Sequence, residues 1–75
     1  MKKYSKQLHI FGRNLKALRQ ARGLSQERLA ESAELDRSYV GAVERGERNI
    51  SLINILKLAD ALNVHIVQFF KDENG

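Results

Sequence analysis

Apolar residues recur at helical spacing in two stretches of the chain. They are Leu8, Phe11, Leu15 and Leu18 in the first stripe and Ile55, Leu58, Ala59 and Leu62 in the second. Residues three and four positions apart share one face of an α-helix, so each stripe predicts an amphipathic helix. The sequence has no proline and only five glycines, which leaves little of the punctuation that separates strands. The pattern therefore predicts helices and no sheet.

The same three-residue motif marks four helix starts. It consists of an apolar residue, a capping-type residue directly after it, and a second apolar residue four positions after the cap. The four sets are Leu24–Ser25–Leu29, Leu35–Asp36–Val40, Ile50–Ser51–Ile55 and Val64–His65–Phe69. In such a staple the cap side chain accepts a free main-chain N–H while the two apolar side chains pack together. Helix ends are indicated by Gly23, Gly46 and Asn63. Together these signals predict helices at about 8–22, 26–33, 37–45, 52–62 and 66–71.

The chain length and the residue types restrict the number of domains and the possible classes of function. Seventy-five residues suffice for one domain, which we expect to have its core at about 8–71 and tails at 1–7 and 72–75. Cysteine is absent and the two histidines, His9 and His65, lie far apart, so we expect no metal, no cofactor and no enzymatic activity. No apolar run approaches the roughly 18 residues of a bilayer span. We expect a cytoplasmic protein without a membrane partner.

Charge is distributed unevenly along the chain, whose formal net charge is +4. Residues 1–28 carry eight basic residues against one acid, whereas residues 29–75 carry five basic residues against eight acids. Such a gradient can place a basic face on a small domain and attract a polyanion such as DNA. A solvated lysine-rich tail explains the charge equally well. Charge alone therefore leaves both interpretations open.

The second and third predicted helices are short and are separated by only three residues, as in a helix-turn-helix unit. Residues 24–49, LSQERLAESAELDRSYVGAVERGERN, closely resemble the phage-repressor and Cro type of helix-turn-helix domain. The run DRSYVGAVERGERNIS is most similar to the small controller proteins of restriction–modification systems. The resemblance covers roughly residues 11–70. It implies an all-α, compact five-helix lambda-repressor-like domain that acts as a sequence-specific DNA-binding transcriptional regulator.

The resemblance also implies structural roles for particular residues. Ala30 is the small residue at which helices 2 and 3 cross. Glu34 lies at a turn position that is often glycine in the family, because the backbone there tends toward positive φ, and it should cost about 1 kcal/mol in that geometry. Arg19 and Glu44 align with a buried ion pair that joins helix 1 to the end of helix 3. Two independent surface charges remain the alternative for this pair.

In similar proteins the third helix enters the major groove and its first residues reach the bases. The base-reading positions implied here are Arg37 and Ser38, with Ala42 one turn later, and an arginine there can donate two hydrogen bonds to guanine. The residues implied to hold phosphates are Ser25, Gln26, Tyr39, Arg45, Arg48 and Asn49. For Tyr39 a packing role stays open, as does a solvated loop for Arg45 and Arg48.

A single recognition helix makes few contacts, so we expect a homodimer on a pseudo-palindromic operator, with no small-molecule ligand. The candidate interface consists of Val64, Ile66, Val67, Phe69 and Phe70, which carry more apolar surface than one core face needs. Both phenylalanines could instead close the core, and we expect one to take each role. The predicted target is a restriction–modification system or the protein's own operon, reached at the nucleoid. An antitoxin-like interaction module that binds DNA secondarily is the alternative.

Overall fold

Four α-helices followed by a short 3₁₀ helix make up the computed structural model, which describes residues 3–72. The elements are α1 Ser5–Ala21, α2 Gln26–Ala33, α3 Arg37–Glu44, α4 Leu52–Leu62 and the C-terminal 3₁₀ helix Ile66–Phe70. Within residues 3–72 there is no strand, and the predicted all-α class is confirmed. The bounds of α2 and α4 are those predicted, and α3 ends one residue earlier than predicted.

One predicted helix start and one predicted helix type are wrong. Helix α1 begins at Ser5 instead of residue 8, because the Tyr4 carbonyl already accepts the Leu8 N–H at 3.1 Å. Residues 5–7 therefore belong to a helix and not to a tail. The last element is a 3₁₀ helix instead of an α-helix: the Gln68 N–H bonds to the carbonyl of His65, three residues back, at 3.0 Å. Of the other predicted tail positions, 3, 4 and 72 are described and lie outside the helices, whereas 1–2 and 73–75 lie outside the described residues.

Side-chain caps start three of the last four helices as predicted. The hydroxyls of Ser25 and Ser51 each accept the main-chain N–H three residues on, both at 3.1 Å. The His65 Nδ1 accepts an N–H two residues on at 3.4 Å, which is a longer bond. Asp36 differs, because its carboxylate accepts the Ser38 hydroxyl at 2.6 Å and makes no cap bond. Local side-chain chemistry thus fixes most of the helix starts.

Two helices end at non-glycine residues in the left-handed conformation. Glu34 has φ 59° after α2 and Asn63 has φ 55° after α4. The Leu35 N–H then bonds back to the Ala30 carbonyl at 2.8 Å, which closes the turn of the helix-turn-helix unit. Asparagine tolerates this conformation better than glutamate does. Glu34 therefore carries the backbone strain expected for a non-glycine residue at this turn.

The core is enclosed by all five elements: α1 packs against α3 and the 3₁₀ helix, whereas α2 packs against α3 and α4. Its buried side chains are Phe11, Leu15, Leu29, Ala30, Ala33, Val40, Val43, Leu58, Ala59, Leu62 and Phe69. Short helices such as α2 and α3 are unstable alone in water, so contacts with α1 and α4 must hold them. The Asn14 side-chain amide attaches the C-terminal segment to α1 by donating to the carbonyls of Phe69 and Lys71 at 2.9 and 2.7 Å.

Helix α1 approaches the carboxyl end of α3 main chain to main chain at Gly12. A Cβ atom at this position would lie 2.4 Å from the Glu44 carbonyl oxygen and 2.5 Å from that of Val43. Real Cβ contacts are not this short, so glycine is the residue that permits the approach. The sequence analysis did not single out Gly12, since a glycine inside a helical pattern gives no sign of what faces it.

Candidate nucleic-acid interface

The first turn of α3 presents its polar side chains to solvent. Arg37 and Ser38 are exposed, and Ala42 is half-buried one turn after Ser38 on the same side of the helix. Within residues 3–72 neither a hydrogen bond nor an ion pair engages the Arg37 guanidinium, so its donors face solvent. The Ser38 hydroxyl donates to Asp36 and retains its lone pairs as acceptors. The end of α3 predicted to read bases is therefore accessible.

A buried ion pair joins α1 to α3 behind this surface. The Arg19 guanidinium donates from Nε to Glu44 Oε2 at 2.6 Å and from Nη2 to Oε1 at 3.1 Å. Its Nη1 donates to the Leu24 carbonyl at 2.8 Å. The two side chains are only 10% and 3% exposed, so the alternative of independent surface charges does not hold. This pair fixes α1 against the end of α3.

Gln26, the first residue of α2, is oriented by the same network. Its Nε2 donates to Glu44 Oε1 at 2.9 Å, which uses one of the two amide hydrogens. The side chain lies over Gly41, where an added Cβ would be 3.3 Å from both the Gln26 Oε1 and the Arg45 Nη1. The second amide hydrogen and the free N–H groups of the helix start are suited to an anion. Ser25 beside it accepts a cap bond and still has a hydroxyl hydrogen to donate.

Tyr39 connects α3 to the start of α4. Its half-buried hydroxyl accepts the Asn54 amide at 3.1 Å, and the Arg48 guanidinium stacks over its ring at 4.9 Å from the centroid. Tyr39 thus has the packing role that the sequence left open. Its hydroxyl hydrogen is not used in that bond and is available to a phosphate. Arg48 is held by a cation–π contact, not by a carboxylate.

The remaining predicted phosphate ligands lie on the surface after α3. Arg45 pairs with Glu47 at 3.1 Å, and both side chains are more than half exposed, so the pair is worth little and a phosphate can displace it. Asn49 is exposed beside the start of α1, where Lys3 and Tyr4 line a shallow pocket with it. The six predicted ligands therefore form no single cluster. Gln26 and Arg45 share one region, whereas Tyr39 and Arg48 share another.

The predicted dimer surface is only partly exposed. Val67 and Phe70 are 51% and 55% exposed, whereas Val64 and Ile66 are half-buried against the core. Including Phe69 in the interface was wrong, because its ring is fully buried with its centroid 4.9 Å from that of Phe11. Phe70 differs, because its side chain is more than half exposed although its ring also meets that of Phe11 edge-on at 5.5 Å.

Helix α4 adds exposed apolar residues that the sequence analysis missed. Leu52, Ile53 and Leu56 are 64%, 62% and 41% exposed. The run LINILKL at residues 52–58 contains only two polar residues, Asn54 and Lys57, which is more apolar surface than one core-facing stripe requires. This excess of apolar residues is the sequence signal that could have predicted an exposed apolar face on α4.

Residues 15–69, which include the whole helix-turn-helix unit and α4, match the helix-turn-helix family HTH_3. The chain belongs to this family. Control protein C.SmaI of Serratia marcescens is 42% identical over 71 residues, which cover 88% of this chain and 84% of C.SmaI. Control protein C.MunI of Mycoplasma sp is 41% identical over 63 residues, which cover 83% of this chain and 85% of C.MunI. The crystal structure of the restriction-modification controller protein C.AhdI from Aeromonas hydrophila superposes with a TM-score of 0.83 at 60% identity, covering 84% of this chain and 96% of that one.

Membership in the HTH_3 family confirms the resemblance predicted from the sequence. It assigns α2 and α3 to the helix-turn-helix unit and makes the chain a DNA-binding transcriptional regulator, not an enzyme. None of the helices in residues 3–72 has the length and hydropathy of a bilayer span. The same residues bring together no group of three side chains suited to a metal ion.

Proposed function

We propose that this regulator is a homodimer that reads a pseudo-palindromic operator with α3 in the major groove. We further propose that it controls a restriction–modification system or its own operon. Base recognition is supported by the exposed first turn of α3, where the Arg37 guanidinium has no hydrogen-bond or ion-pair partner within residues 3–72. The similarity to proteins named as restriction–modification controllers supports the biological role. The site of action is the nucleoid in the cytoplasm.

Base reading follows from the chemistry of three side chains on α3. The guanidinium of Arg37 donates two parallel hydrogen bonds to O6 and N7 of a guanine. The Ser38 oxygen accepts from a base amino group, and the Ala42 methyl group contacts a thymine methyl group. Because an α-helix fits the width of the major groove, these side chains can reach the base edges.

Phosphate contacts on the surrounding surface set the register of α3 in the groove. Gln26 is the best-oriented of them, since Glu44 holds its amide while leaving one hydrogen free. Ser25 and the free N–H groups at the start of α2 add donors at the same place. Arg45, whose guanidinium lies beside Gln26 over Gly41, adds a cation in the same region. Arg48, held over Tyr39, acts on a second stretch of backbone, where Asn49 is accessible as well.

Dimerisation is supported by the position of the exposed apolar side chains. Residues 3–72 expose six large apolar side chains, and five of these lie on α4 and the C-terminal 3₁₀ helix. Burying one such side chain is worth about 1.5–3 kcal/mol, and a twofold interface buries each of them twice. Dimer formation places two recognition helices about 34 Å apart, one turn of the duplex. It also makes operator occupancy rise steeply with protein concentration.

The variant Arg37→Ala tests base reading. A preferred duplex site is first selected from a random-sequence library, and the dissociation constants are then measured by gel shift in one fixed buffer. We expect Arg37→Ala to lose about 1–3 kcal/mol for each half-site, roughly five- to hundred-fold, because two hydrogen bonds to guanine disappear. Discrimination at one base pair in each half-site should disappear with it.

Arg48→Ala is the matched control, since it removes an arginine that contacts phosphate in this proposal. It should weaken binding to all sequences by a similar factor and leave their ranking intact. If the parent protein shows no preference over mixed-sequence DNA, sequence-specific reading is excluded. If Arg37→Ala behaves like Arg48→Ala, Arg37 does not read a base.

The dimer is tested by sedimentation equilibrium of the double variant Ile53→Glu, Val67→Glu. The parent should sediment at twice 8.6 kDa, whereas the variant should sediment at 8.6 kDa, because charges replace apolar contacts on both sides of the interface. Tyr4→Glu provides the control, since Tyr4 is the one large exposed apolar residue of the described chain outside α4 and the 3₁₀ helix. A monomeric parent, or a double variant that remains dimeric, contradicts this interface.

A further inference from the structure

A basic groove lies between the outer face of α1 and the carboxyl end of α3, away from the first turn of α3. It has a volume of about 540 Å³. Its ionised lining residues are the cations Lys6, Arg13, Lys16 and Arg45 and the carboxylates Glu44 and Asp72. The proposed base contacts of α3 involve none of the three cations on α1.

The cations of α1 follow one line along the helix. Lys6 and Lys16 are ten residues apart, which corresponds to about 15 Å at 1.5 Å per residue, and Arg13 lies between them. All three are exposed. Within residues 3–72 no ion pair engages them. The line is therefore a row of accessible positive charges and not a set of internal salt bridges.

The two carboxylates do not cancel this charge. Glu44 is 3% exposed, and both of its oxygens already accept hydrogen bonds from Arg19, with Gln26 as a further donor. Asp72 lies at the end of the described chain and makes a contact of its own. Cations in the groove thus outnumber carboxylates four to two. Glu44 is already paired with the buried Arg19, and of the four cations only Arg45 has an ion-pair partner within the described chain, the exposed Glu47. The potential in the groove favours a polyanion.

The groove adjoins the strongest phosphate anchor of the proposed interface. Glu44 lines the groove and holds the Gln26 amide at 2.9 Å. Arg45 lines it as well, and its guanidinium lies beside Gln26 over Gly41. A DNA strand that contacts Gln26 at the start of α2 therefore passes the mouth of this groove.

From the proposed function we infer that the groove binds a further stretch of the DNA phosphate backbone, continuous with the phosphates held at the start of α2. The spaced, flexible cations suit a charged polymer that needs no fixed geometry. An acidic protein surface fits less well, because protein interfaces are depleted in lysine and centre on buried apolar or aromatic side chains. Besides the six charged residues, only His9 and Ile10 line the groove, and neither is an exposed aromatic or aliphatic anchor on α4 or the 3₁₀ helix.

The triple variant Lys6→Gln, Arg13→Gln, Lys16→Gln tests this assignment. The probe is a 30-base-pair duplex that contains the preferred site, titrated at several salt concentrations. We expect the slope of log Kobs against log salt to become shallower by about 2–3 for each protomer, or about 5 for the bound dimer, since each lost phosphate contact removes nearly one unit. The ranking of operator sequences should not change. The three residues are exposed, so the thermal unfolding midpoint should stay at the parent value.

A control triple variant, Arg22→Gln, Lys57→Gln, Lys71→Gln, removes the same charge at positions outside the groove. It should retain the parent slope. The assignment is overturned if the groove variant has the same salt dependence as the parent protein, and an acidic protein is then left as the partner. It is also overturned if both triple variants lose the same amount of salt dependence. A third result separates the two proposals. If the parent protein shows no sequence preference but only the groove variant has a weaker salt dependence of DNA binding, sequence-specific binding is excluded and the groove assignment stands.

Discussion

Replacing Arg19 with alanine is expected to lower the free energy of unfolding by about 3–5 kcal/mol, because it strands the buried Glu44 carboxylate. Glu44 would keep only Gln26 as a side-chain donor, and the Leu24 carbonyl would lose its partner. A domain of this size has a total stability of only about 4–11 kcal/mol. Urea unfolding followed by circular dichroism at neutral pH measures the loss directly.

Two further variants separate the buried charge from the loss of packing. The double variant Arg19→Ala, Glu44→Ala removes both charges, so it should be more stable than the single variant Arg19→Ala. Arg28→Ala removes an exposed arginine whose nearest contact to Glu31 is 3.9 Å, and it should change stability by no more than about 0.5 kcal/mol. If Arg19→Ala costs no more than Arg28→Ala, the network does not stabilise the fold as described.

The second large effect is expected from Gly12→Ala, which should destabilise the fold by about 3 kcal/mol. The added methyl group would lie 2.4 Å and 2.5 Å from two main-chain carbonyl oxygens of α3, which cannot move as a side-chain end can. Overpacking commonly costs about 1–3 kcal/mol, and rigid neighbours place this case at the upper end. The gain of about 1 kcal/mol from better helix propensity does not offset it. The thermal unfolding midpoint, measured by calorimetry, reports the loss.

Gly41→Ala is the matched control, because Gly41 is also a buried glycine inside a helix. Its added Cβ would meet only the ends of the Gln26 and Arg45 side chains, at 3.3 Å, and these can shift. We expect little change in stability, since the helix-propensity gain balances the adjustment. DNA affinity should fall, because Gln26 is displaced from its position at the start of α2. Equal stability of Gly12→Ala and Gly41→Ala would contradict the close approach of α1 and α3.

Helix bounds were predictable where a local signal defined them. Ser25 and Ser51 cap α2 and α4 as their sequence context predicts, and the starts of both helices are correct to the residue. The start of α1 was missed because Tyr4 provides no side-chain cap. The 3₁₀ form of the last helix was missed because apolar spacing over five residues does not distinguish the two helix types.

Some features of the candidate interface were also predictable from the sequence, and others were not. Exposure of Arg37 and Ser38 follows from their place at the start of an amphipathic helix, which the sequence shows. The roles of Phe69 and Phe70 could not be separated by pattern alone, since adjacent residues on a short helix compete for one space in the core. The sequence predicts Gln26 as a phosphate ligand from its place at the start of α2, but it gives no sign of the bond to Glu44, which joins residues 18 apart in sequence.

The sequence by itself determined the all-α class, the helix-turn-helix unit and the end of α3 that faces outward, because caps and apolar spacing act between near neighbours in the chain. Only the tertiary structure decided that Gly12 permits α1 to touch α3, that Gln26 is held by the Arg19–Glu44 pair, and that the cations of α1 share a groove with Arg45. These features depend on which helix faces meet across the core. That choice is set by the packing of the whole domain, which no local stretch of sequence contains.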